Sequence, residues 1–228
     1  MSNLELTLKN PVWYALKETH REFALTHNDV SFYDPNICPF GAFNDPTKTV
    51  IALNEYSKLA DSFFLVTENE TPKFDENFVV LERKIECVQM VLASLKPYKI
   101  TETIVPLTEK DIDAVYDLIW QVMPGYFKKQ TFNMGKYFGI YKNNKLVSVT
   151  GQRLQTNQFI EVSAVVTHPD YTRQGLAKQL VAHTTKVILE TGKKAILHTT
   201  KNNRAITLYE KLGYELTREM NWWYFHKK

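Results

Sequence analysis

The residues with the clearest chemical potential form a short loop, Thr172–Ala177, between two strongly patterned segments. The segment before it, Phe159–Thr167, is rich in β-branched residues and predicts a strand, which Pro169 ends. The segment after it carries apolar residues at helical spacing. The free N–H groups and the dipole of a helix start attract phosphate, and Gly175 lets the backbone approach such a ligand closely. The loop is therefore a candidate phosphate or pyrophosphate site.

The loop lacks the marks of two other phosphate-binding motifs. It has no Gly-Lys-Ser/Thr ending of a nucleoside triphosphate loop, and a dinucleotide fingerprint would need three glycines where this loop has one. Arg173 and Lys178 could add positive charge beside a phosphate. The glycine spacing alone leaves open an ordinary strand-to-helix connection in which Gly175 serves packing.

The elements that must position this loop predict a mixed α/β domain in the order β-β-β-α-β-α-β-β. Asn143 and Asn144 tolerate the positive φ of a tight hairpin turn, and Gly192 and Gly213 are typical of helix ends. The predicted strands are Tyr137–Tyr141, Leu146–Leu154, Phe159–Thr167, Ala195–Thr199, Tyr214–Glu219 and Asn221–Phe225, with helices after Gly175 and after Asn202 or Asn203.

The first hundred residues predict a second, smaller α/β unit. Asn10-Pro11 and Asp45-Pro46 are typical of helix starts. Beyond this unit, just upstream of the C-terminal core, Thr108–Asp111 fits a capping box that begins another helix. Short apolar runs predict the strands Phe63–Thr67, Phe78–Leu81 and Ile85–Leu92. The segment Lys96–Pro106 contains two prolines and predicts a boundary, so we expect an N-terminal domain of residues 1–104 and a C-terminal domain of residues 105–228.

Composition and charge exclude several classes of function. The net charge of +3 over 228 residues is small and its basic residues are dispersed, which argues against nucleic-acid binding. Cys38 and Cys87 lack metal-ligand spacing, as do the six histidines, so we expect no metal and free thiols in a reducing compartment. The chain has no apolar run that could span a bilayer and no signal-like start, which predicts a cytoplasmic protein without a membrane partner.

The loop Thr172–Ala177 resembles the pyrophosphate loop of the GNAT superfamily of N-acetyltransferases, whose pattern is Gln/Arg-x-x-Gly-x-Gly/Ala. Gly175 and Ala177 match this pattern, whereas Thr172 stands where Gln or Arg is usual. The preceding Thr-His-Pro-Asp-Tyr and the segment Asn202–Tyr214 also match, in the expected order. The resemblance runs from about Leu107 to the C-terminus. Within the superfamily, this part of the chain resembles the subgroup that includes glycine N-acyltransferase-like proteins. The N-terminal half resembles a degenerate second copy of the fold.

The resemblance implies that acetyl-CoA or another acyl-CoA is the cosubstrate and that a small-molecule amine, such as an amino acid, is the acceptor. The pantetheine arm would pair with the free edge of the strand before the loop, and a backbone N–H near Ala164 or Val165 would polarise the thioester carbonyl. The expected cosubstrate-binding residues are Val165, Val166, Thr167, Arg173, Gln174, Gly175, Leu176, Ala177, Lys178 and Asn202.

Two residues are candidates for proton transfer. The resemblance places Tyr209 near the CoA sulfur, where its hydroxyl could protonate the departing thiolate, although spacing alone favours a packing role. Glu161 lies on the central strand and could accept a proton from the amine through water, unless it simply faces outward. His168 fits a structural role, and His198 is a weaker second candidate for the base.

A loop before the first strand of the core is a candidate acceptor-binding segment. It contains Tyr126, Phe127, Lys128, Lys129 and Thr131, and its lysines could meet an acidic group on the acceptor. A non-catalytic acyl-CoA-binding or interaction module is the alternative to an enzyme. The sequence leaves open whether the protein is a monomer or a homodimer.

Overall fold

The computed structural model describes residues 3–125 and 127–228 of the chain. Its α-helices are α1 (Asn3–Lys9), α2 (Pro11–Lys17), α3 (Thr49–Tyr56), α4 (Ile112–Val122), α5 (Leu176–Leu189) and α6 (Ile206–Glu210). Its strands are β1 (Ala24–His27), β2 (Val30–Tyr33), β3 (Phe40–Ala42), β4 (Ser62–Thr67), β5 (Val79–Leu92), β6 (Val105–Leu107), β7 (Tyr137–Lys142), β8 (Lys145–Gln155), β9 (Phe159–Thr167), β10 (Lys194–Thr200) and β11 (Tyr214–Lys227).

In the described part of the chain, the strands form one 11-stranded sheet in the order β1-β2-β3-β4-β11-β5-β10-β9-β8-β7-β6. β10 runs parallel to β9 and β3 runs parallel to β4, whereas β5, β11 and β4 form an antiparallel group at the centre. The predicted mixed α/β fold with a mixed central sheet is therefore confirmed. No described helix has the length and apolar character needed to cross a membrane.

The prediction of two closing strands was wrong, because β11 is one strand of 14 residues. A bulge between Leu216 and Arg218 and a second between Tyr224 and Phe225 shift its register against β5. The predicted break at Met220 falls between these bulges, where Met220 is buried and pairs with Cys87 in a continuous ladder. The predicted strands Phe78–Leu81 and Ile85–Leu92 are likewise one strand, β5, whose middle residues are exposed and charged.

β11 brings the two ends of the chain together. It lies between β4 and β5, so a strand from the C-terminal end pairs on both sides with strands from the first hundred residues. Hydrogen bonding in the sheet thus continues across the predicted boundary near residue 104. The division into residues 1–104 and 105–228, and the origin of the first part as a degenerate copy, stay predictions.

The helices cover both faces of the sheet. Leu8, Val12 and Leu16 of α1 and α2 pack on one face, together with Phe159 and Met220. On the opposite face, apolar residues of α5 and α6 pack against the neighbouring positions of β5, β9 and β10. The capping box predicted at Thr108–Asp111 is present, and α4 follows it. These layers hold β9 and β10 in the interior, where the candidate site lies.

Candidate functional site

β9 and β10 separate partway along their length. They pair as parallel strands only from Phe159 to Glu161, opposite Lys194–Ile196. Beyond that point β10 stays paired with β5, and β9 stays paired with β8. The β9 edge after Glu161 that faces β10 is therefore free of strand partners. A free edge in the interior offers main-chain groups to an extended ligand.

A bulge in β9 lies at this opening. Val149 and Gly151 of β8 pair with Val166 and Ser163, so one residue of β8 faces the two residues Ala164 and Val165. Ala164 has a φ of 51°, in the left-handed region that non-glycine residues rarely adopt. The bulge moves Ala164 and Val166 to the α4 face of the sheet, whereas Val162 packs with α5 on the other face. Such strain is often found where a backbone group must be aimed at a ligand.

A cavity of about 220 Å³ occupies the opening between the strands. Its walls come from both ends of the chain: β9 and β10, α4 with the loop after it, α6, and the strands β3, β5, β8 and β11. The lining residues are Cys38, Phe40, Ile85, Cys87, Ile119, Met123, Phe127, Thr131, Tyr137, Arg153, Val162–Val165, His198–Thr200, Asn203, Tyr209 and Trp222. Mostly apolar walls with a few polar groups are typical of a small-molecule site.

The loop before α5 leaves the start of that helix uncovered. Gly175 is the N-cap of α5 with a φ of 76°, so it offers no side chain to the free N–H groups of the first turn. Arg173 also has a positive φ, and Thr172–Gly175 are exposed. Leu176 is buried in the core, so its side chain packs the start of the helix against the sheet. The backbone N–H groups of this 14-residue helix therefore face open space beside β9.

The segment that joins β5 to β6 lies against this helix start. Gln179 of α5 accepts hydrogen bonds from the backbone N–H groups of Thr101 and Glu102, at 2.7 and 2.9 Å. Lys178 places its Nζ 4.3 Å from the centre of the Tyr98 ring. The Tyr98 hydroxyl is 3.7 Å from the position that a Cβ on Gly175 would take. Tyr98 and Lys178 thus flank the loop, and no motif in the sequence pointed to Tyr98.

Tyr209 lies on α6 and lines the cavity, as the prediction of a site residue requires. Its side chain is buried, and its hydroxyl has no hydrogen-bond partner among the residues that the structure describes. Burial raises the pKa of Tyr209 to about 12. The phenol therefore keeps its proton at neutral pH and can donate it to a group bound in the cavity.

Asn203, rather than Asn202, contacts the cavity. The Asn203 Nδ2 donates to Thr199 Oγ1 at 2.7 Å, and its Oδ1 accepts from the backbone N–H of Ala205 at 2.8 Å. Asn202 is exposed and does not line the cavity. The prediction that Asn202 or Asn203 caps α6 was wrong, because the helix begins later, with Ala205 at the N-cap; Asn203 instead bonds the turn before the helix and β10.

Glu161 is fully buried in a three-residue polar network behind the cavity. Arg153 donates to both of its carboxylate oxygens, from Nε and Nη2, at 2.8 Å each. His198 Nδ1 lies 2.7 Å from Oε1, and the backbone N–H of Leu154 also donates to the carboxylate. Burial alone would raise the pKa of Glu161, but the charge of Arg153, with hydrogen bonds from Arg153 and His198, lowers it well below its ordinary value.

His198 links this network to the cavity, which it lines. Its Nε2 lies 3.0 Å from the Gln89 Nε2, which also donates to the backbone carbonyl of Leu8. Because an amide N–H can only donate, His198 Nε2 is the acceptor and Nδ1 carries the proton that Glu161 accepts. Glu161 thus fixes the tautomer of the imidazole.

The remaining candidate residues lie elsewhere or play packing roles. His168 is near Lys145 and Gln121, away from the cavity lining. Lys129 pairs with Asp113 at 2.6 Å, and neither it nor Lys128 lines the cavity, although Phe127 and Thr131 do. Tyr126 lies outside the described residues. Among the described residues, no group of three or more His, Cys, Asp or Glu side chains could hold a metal.

Comparison with known proteins relates this geometry to one fold. Residues 137–223 match the family model described as FR47-like protein. A GNAT-family protein from Novosphingobium aromaticivorans superposes with a TM-score of 0.86 at 27% identity, covering 97% of this chain and 98% of that one. The sequence matches no curated protein.

More distant solved structures share the same fold. A GCN5-related N-acetyltransferase from Kribbella flavida has a TM-score of 0.63 at 15% identity. An N-acetyltransferase-like protein from Streptococcus suis has a TM-score of 0.65, also at 15% identity. Each comparison covers 95% of this chain and 93% of the other. The chain therefore has the fold of the GNAT acetyltransferases along nearly its whole length.

Proposed function

We propose that this protein transfers an acetyl or other short acyl group from acyl-CoA to the primary amine of a small molecule. The observation that carries the proposal is the opening between β9 and β10. There a free strand edge and a bulge line a cavity that reaches the interior, and the same strand, β9, leads through a short loop to the start of α5. An extended thioester with a pyrophosphate at one end matches this combination.

The cosubstrate would bind through main-chain groups at two places. Its pyrophosphate would accept hydrogen bonds from the N–H groups at the start of α5, from Gly175 to Lys178, with Arg173 and Gln174 beside it. Its pantetheine arm would pair with Val165–Thr167, in the manner of an added strand. The acyl group would then reach the cavity at the bulge, where the Ala164 or Val165 N–H can bond the thioester oxygen.

The chemistry is attack by the neutral amine on the thioester carbonyl. The new C–N bond forms as charge develops on the carbonyl oxygen, which the bulge N–H stabilises. Collapse of the tetrahedral intermediate breaks the C–S bond, and the sulfur leaves as a thiolate. Tyr209 would donate its proton to this thiolate, so that CoA departs as the thiol.

The amine must also lose a proton, and the buried network defines the candidates. Glu161 is shielded from water and held ionised by Arg153, an environment that favours a positioning role for it. His198 lines the cavity, but Glu161 accepts from its Nδ1–H and its Nε2 accepts from Gln89, so neither ring nitrogen is free to take a proton. We therefore assign His198 and Glu161 as positioning residues, and the proton of the amine would pass to water in the cavity.

The test measures acyl-CoA turnover with a panel of primary amines, and the release of the free CoA thiol is the signal. Tyr209→Phe should lower kcat by about 10²-fold or more, since it removes a general acid. Tyr214→Phe is a matched control, because Tyr214 is equally buried, packs against Tyr209 and bonds Thr185 outside the cavity. Full turnover by Tyr209→Phe would remove the acid role. Tight acyl-CoA binding without turnover of any amine would favour the non-catalytic module.

A further inference from the structure

We infer that the amine acceptor carries a carboxylate, and that Arg153 binds it in a subsite to which both halves of the chain contribute. This inference rests on the proposed function, because it names the class of molecule that the cavity would accept. It starts from an arginine whose hydrogen-bonding capacity is only half used.

Arg153 directs one edge of its guanidinium at Glu161 and leaves its end free. Nε and Nη2 bond the carboxylate oxygens of Glu161. Nη1 has no hydrogen-bond partner among the residues that the structure describes, and the Arg153 side chain is a lining residue of the cavity. The end of a guanidinium presents one N–H from each Nη atom in parallel, which matches the two oxygens of a carboxylate.

Two aromatic rings hold the guanidinium in place. Its central carbon lies 4.9 Å from the centre of the Phe40 ring and 5.2 Å from the centre of the Trp222 ring. Phe40 belongs to β3, and Trp222 lies on β11 where that strand pairs with β4 and β5. The two ring centres are themselves 4.9 Å apart, so the rings lie together on one side of the guanidinium and shield that side from water. A hydrogen bond to its free end would therefore form in a low-dielectric site with little loss of entropy.

The charges around Arg153 favour a single negative charge on the ligand. Arg153 is the one formally charged side chain among the described residues that line the cavity, and Glu161 already offsets its charge from behind. A dianion such as a phosphate would place a second negative charge near Glu161 without a further cation. A planar monoanion meets the free N–H groups at a lower electrostatic cost.

The cavity also sets the direction of the acceptor. Arg153, Phe40 and Trp222 form the part of the cavity contributed by β3, β8 and β11, whereas the bulge at Ala164 and Val165 lies on β9. A molecule whose carboxylate bonds Arg153 would point its other end at the bulge, where the thioester is expected. Cys38 and Cys87 line the same cavity, and burial raises the pKa of each thiol to about 12, so neither competes as an anion. An aminocarboxylate with an apolar body fits these requirements.

The first experiment compares aminocarboxylates with their own primary amides. A set of α- and ω-amino acids is offered to the acetyl-CoA-loaded enzyme, each beside the amide that lacks only the charge. We expect kcat/KM to favour the acid by about 10–100-fold, the range of a charge-assisted bidentate contact. Equal rates for acid and amide, or a preference for aminophosphonates, would overturn the inference.

Variants separate the role of Arg153 from folding. Removing Arg153 alone would leave the Glu161 carboxylate buried without its cation. The test therefore uses the double variant Arg153→Gln/Glu161→Gln, which removes both charges together. The preference for acid over amide should collapse to within about threefold, a shift below 1 kcal/mol. Arg218→Gln is the matched control, since Arg218 is a buried arginine paired with Glu5 and Glu68 away from the cavity, and it should keep the preference. A preference that persists in the double variant would refute the assignment.

A binding measurement keeps this inference distinct from the proposed activity. Calorimetry with CoA-saturated protein measures binding of the same acids and amides without any turnover. Binding of the acids that is lost in the double variant supports the subsite even if no amine is acylated. Absence of binding for every aminocarboxylate, with intact acetyl-CoA binding, would overturn the subsite and leave the acyltransferase proposal standing.

Discussion

The cavity has two walls that are built in different ways. The first wall consists of Val162–Val165, Asn203 and Tyr209, and it offers backbone groups of β9 beside the start of α5. The second wall consists of Phe40, Cys87, Arg153 and Trp222, and it offers side chains brought together by long-range strand pairing. A backbone site needs only a local sequence that makes a bulge or a helix start. A side-chain site depends on the register of strands that are distant in sequence.

The largest difference between the walls should appear in stability. Arg153→Met leaves Glu161 buried without its cation, which should cost about 3–5 kcal/mol of unfolding free energy. Replacing both residues with methionine removes the uncompensated charge and should recover much of this loss. Urea unfolding of the two variants measures the difference. An Arg153→Met variant as stable as the wild type would show that the ion pair between Arg153 and Glu161 does not stabilise the second wall.

A pH effect of similar size should originate beside the second wall. Burial, with the charge of Lys193, lowers the pKa of His20 from 6.5 to about 4, although a backbone bond to Met134 opposes this. Below pH 6.5 the unfolded chain binds a proton that the folded chain refuses, so stability falls as pH drops to 4. The loss should be about 3 kcal/mol, because a pKa that falls from 6.5 to about 4 on folding corresponds to that free energy.

The control for this effect is His20→Gln, which keeps a polar group near the Tyr33 hydroxyl, 2.8 Å from His20 Nδ1. Its stability should depend less on pH between 6.5 and 4 than that of the wild type. Urea unfolding at several pH values gives both curves, and parallel curves would contradict the buried neutral state of His20.

The smallest predicted effect concerns two neighbours at the first wall. Asn203→Ala should cost about 1 kcal/mol, since Asn203 bonds Thr199 and the backbone of Ala205. Asn202→Ala should leave the unfolding free energy within about 0.5 kcal/mol, because its side chain makes no hydrogen bond to the described residues, although both asparagines are exposed. Thermal unfolding of the two variants measures the difference. A larger loss of stability for Asn202→Ala than for Asn203→Ala would show that Asn202, and not Asn203, makes the stabilising contacts.

The sequence predicted Val165 and Tyr209 of the first wall as site residues, and no residue of the second. The glycine at 175 and the tyrosine at 209 belong to short motifs, and β-branched residues predicted β9 directly. The bulge at Ala164 left no sequence signal that would separate it from an ordinary strand position. Arg153 did carry a sequence signal, because a charged residue between inward-facing positions of a strand requires a buried partner. Its contacts with Phe40 and Trp222 depend on the insertion of β11 between β4 and β5, which local patterns do not encode.

The central claim is that acyl-CoA binds at the start of α5, and a matched pair of glycines tests it most directly. Gly175 and Gly192 have φ values of 76° and 78° at opposite ends of α5, so Gly→Glu imposes the same backbone strain at each. Acetyl-CoA is titrated into both variants and the wild type by calorimetry. The account predicts micromolar binding to the wild type and to Gly192→Glu, and at least a 10²-fold loss for Gly175→Glu, where a carboxylate would oppose the pyrophosphate. Undiminished binding to Gly175→Glu, or no binding to the wild type, would contradict it.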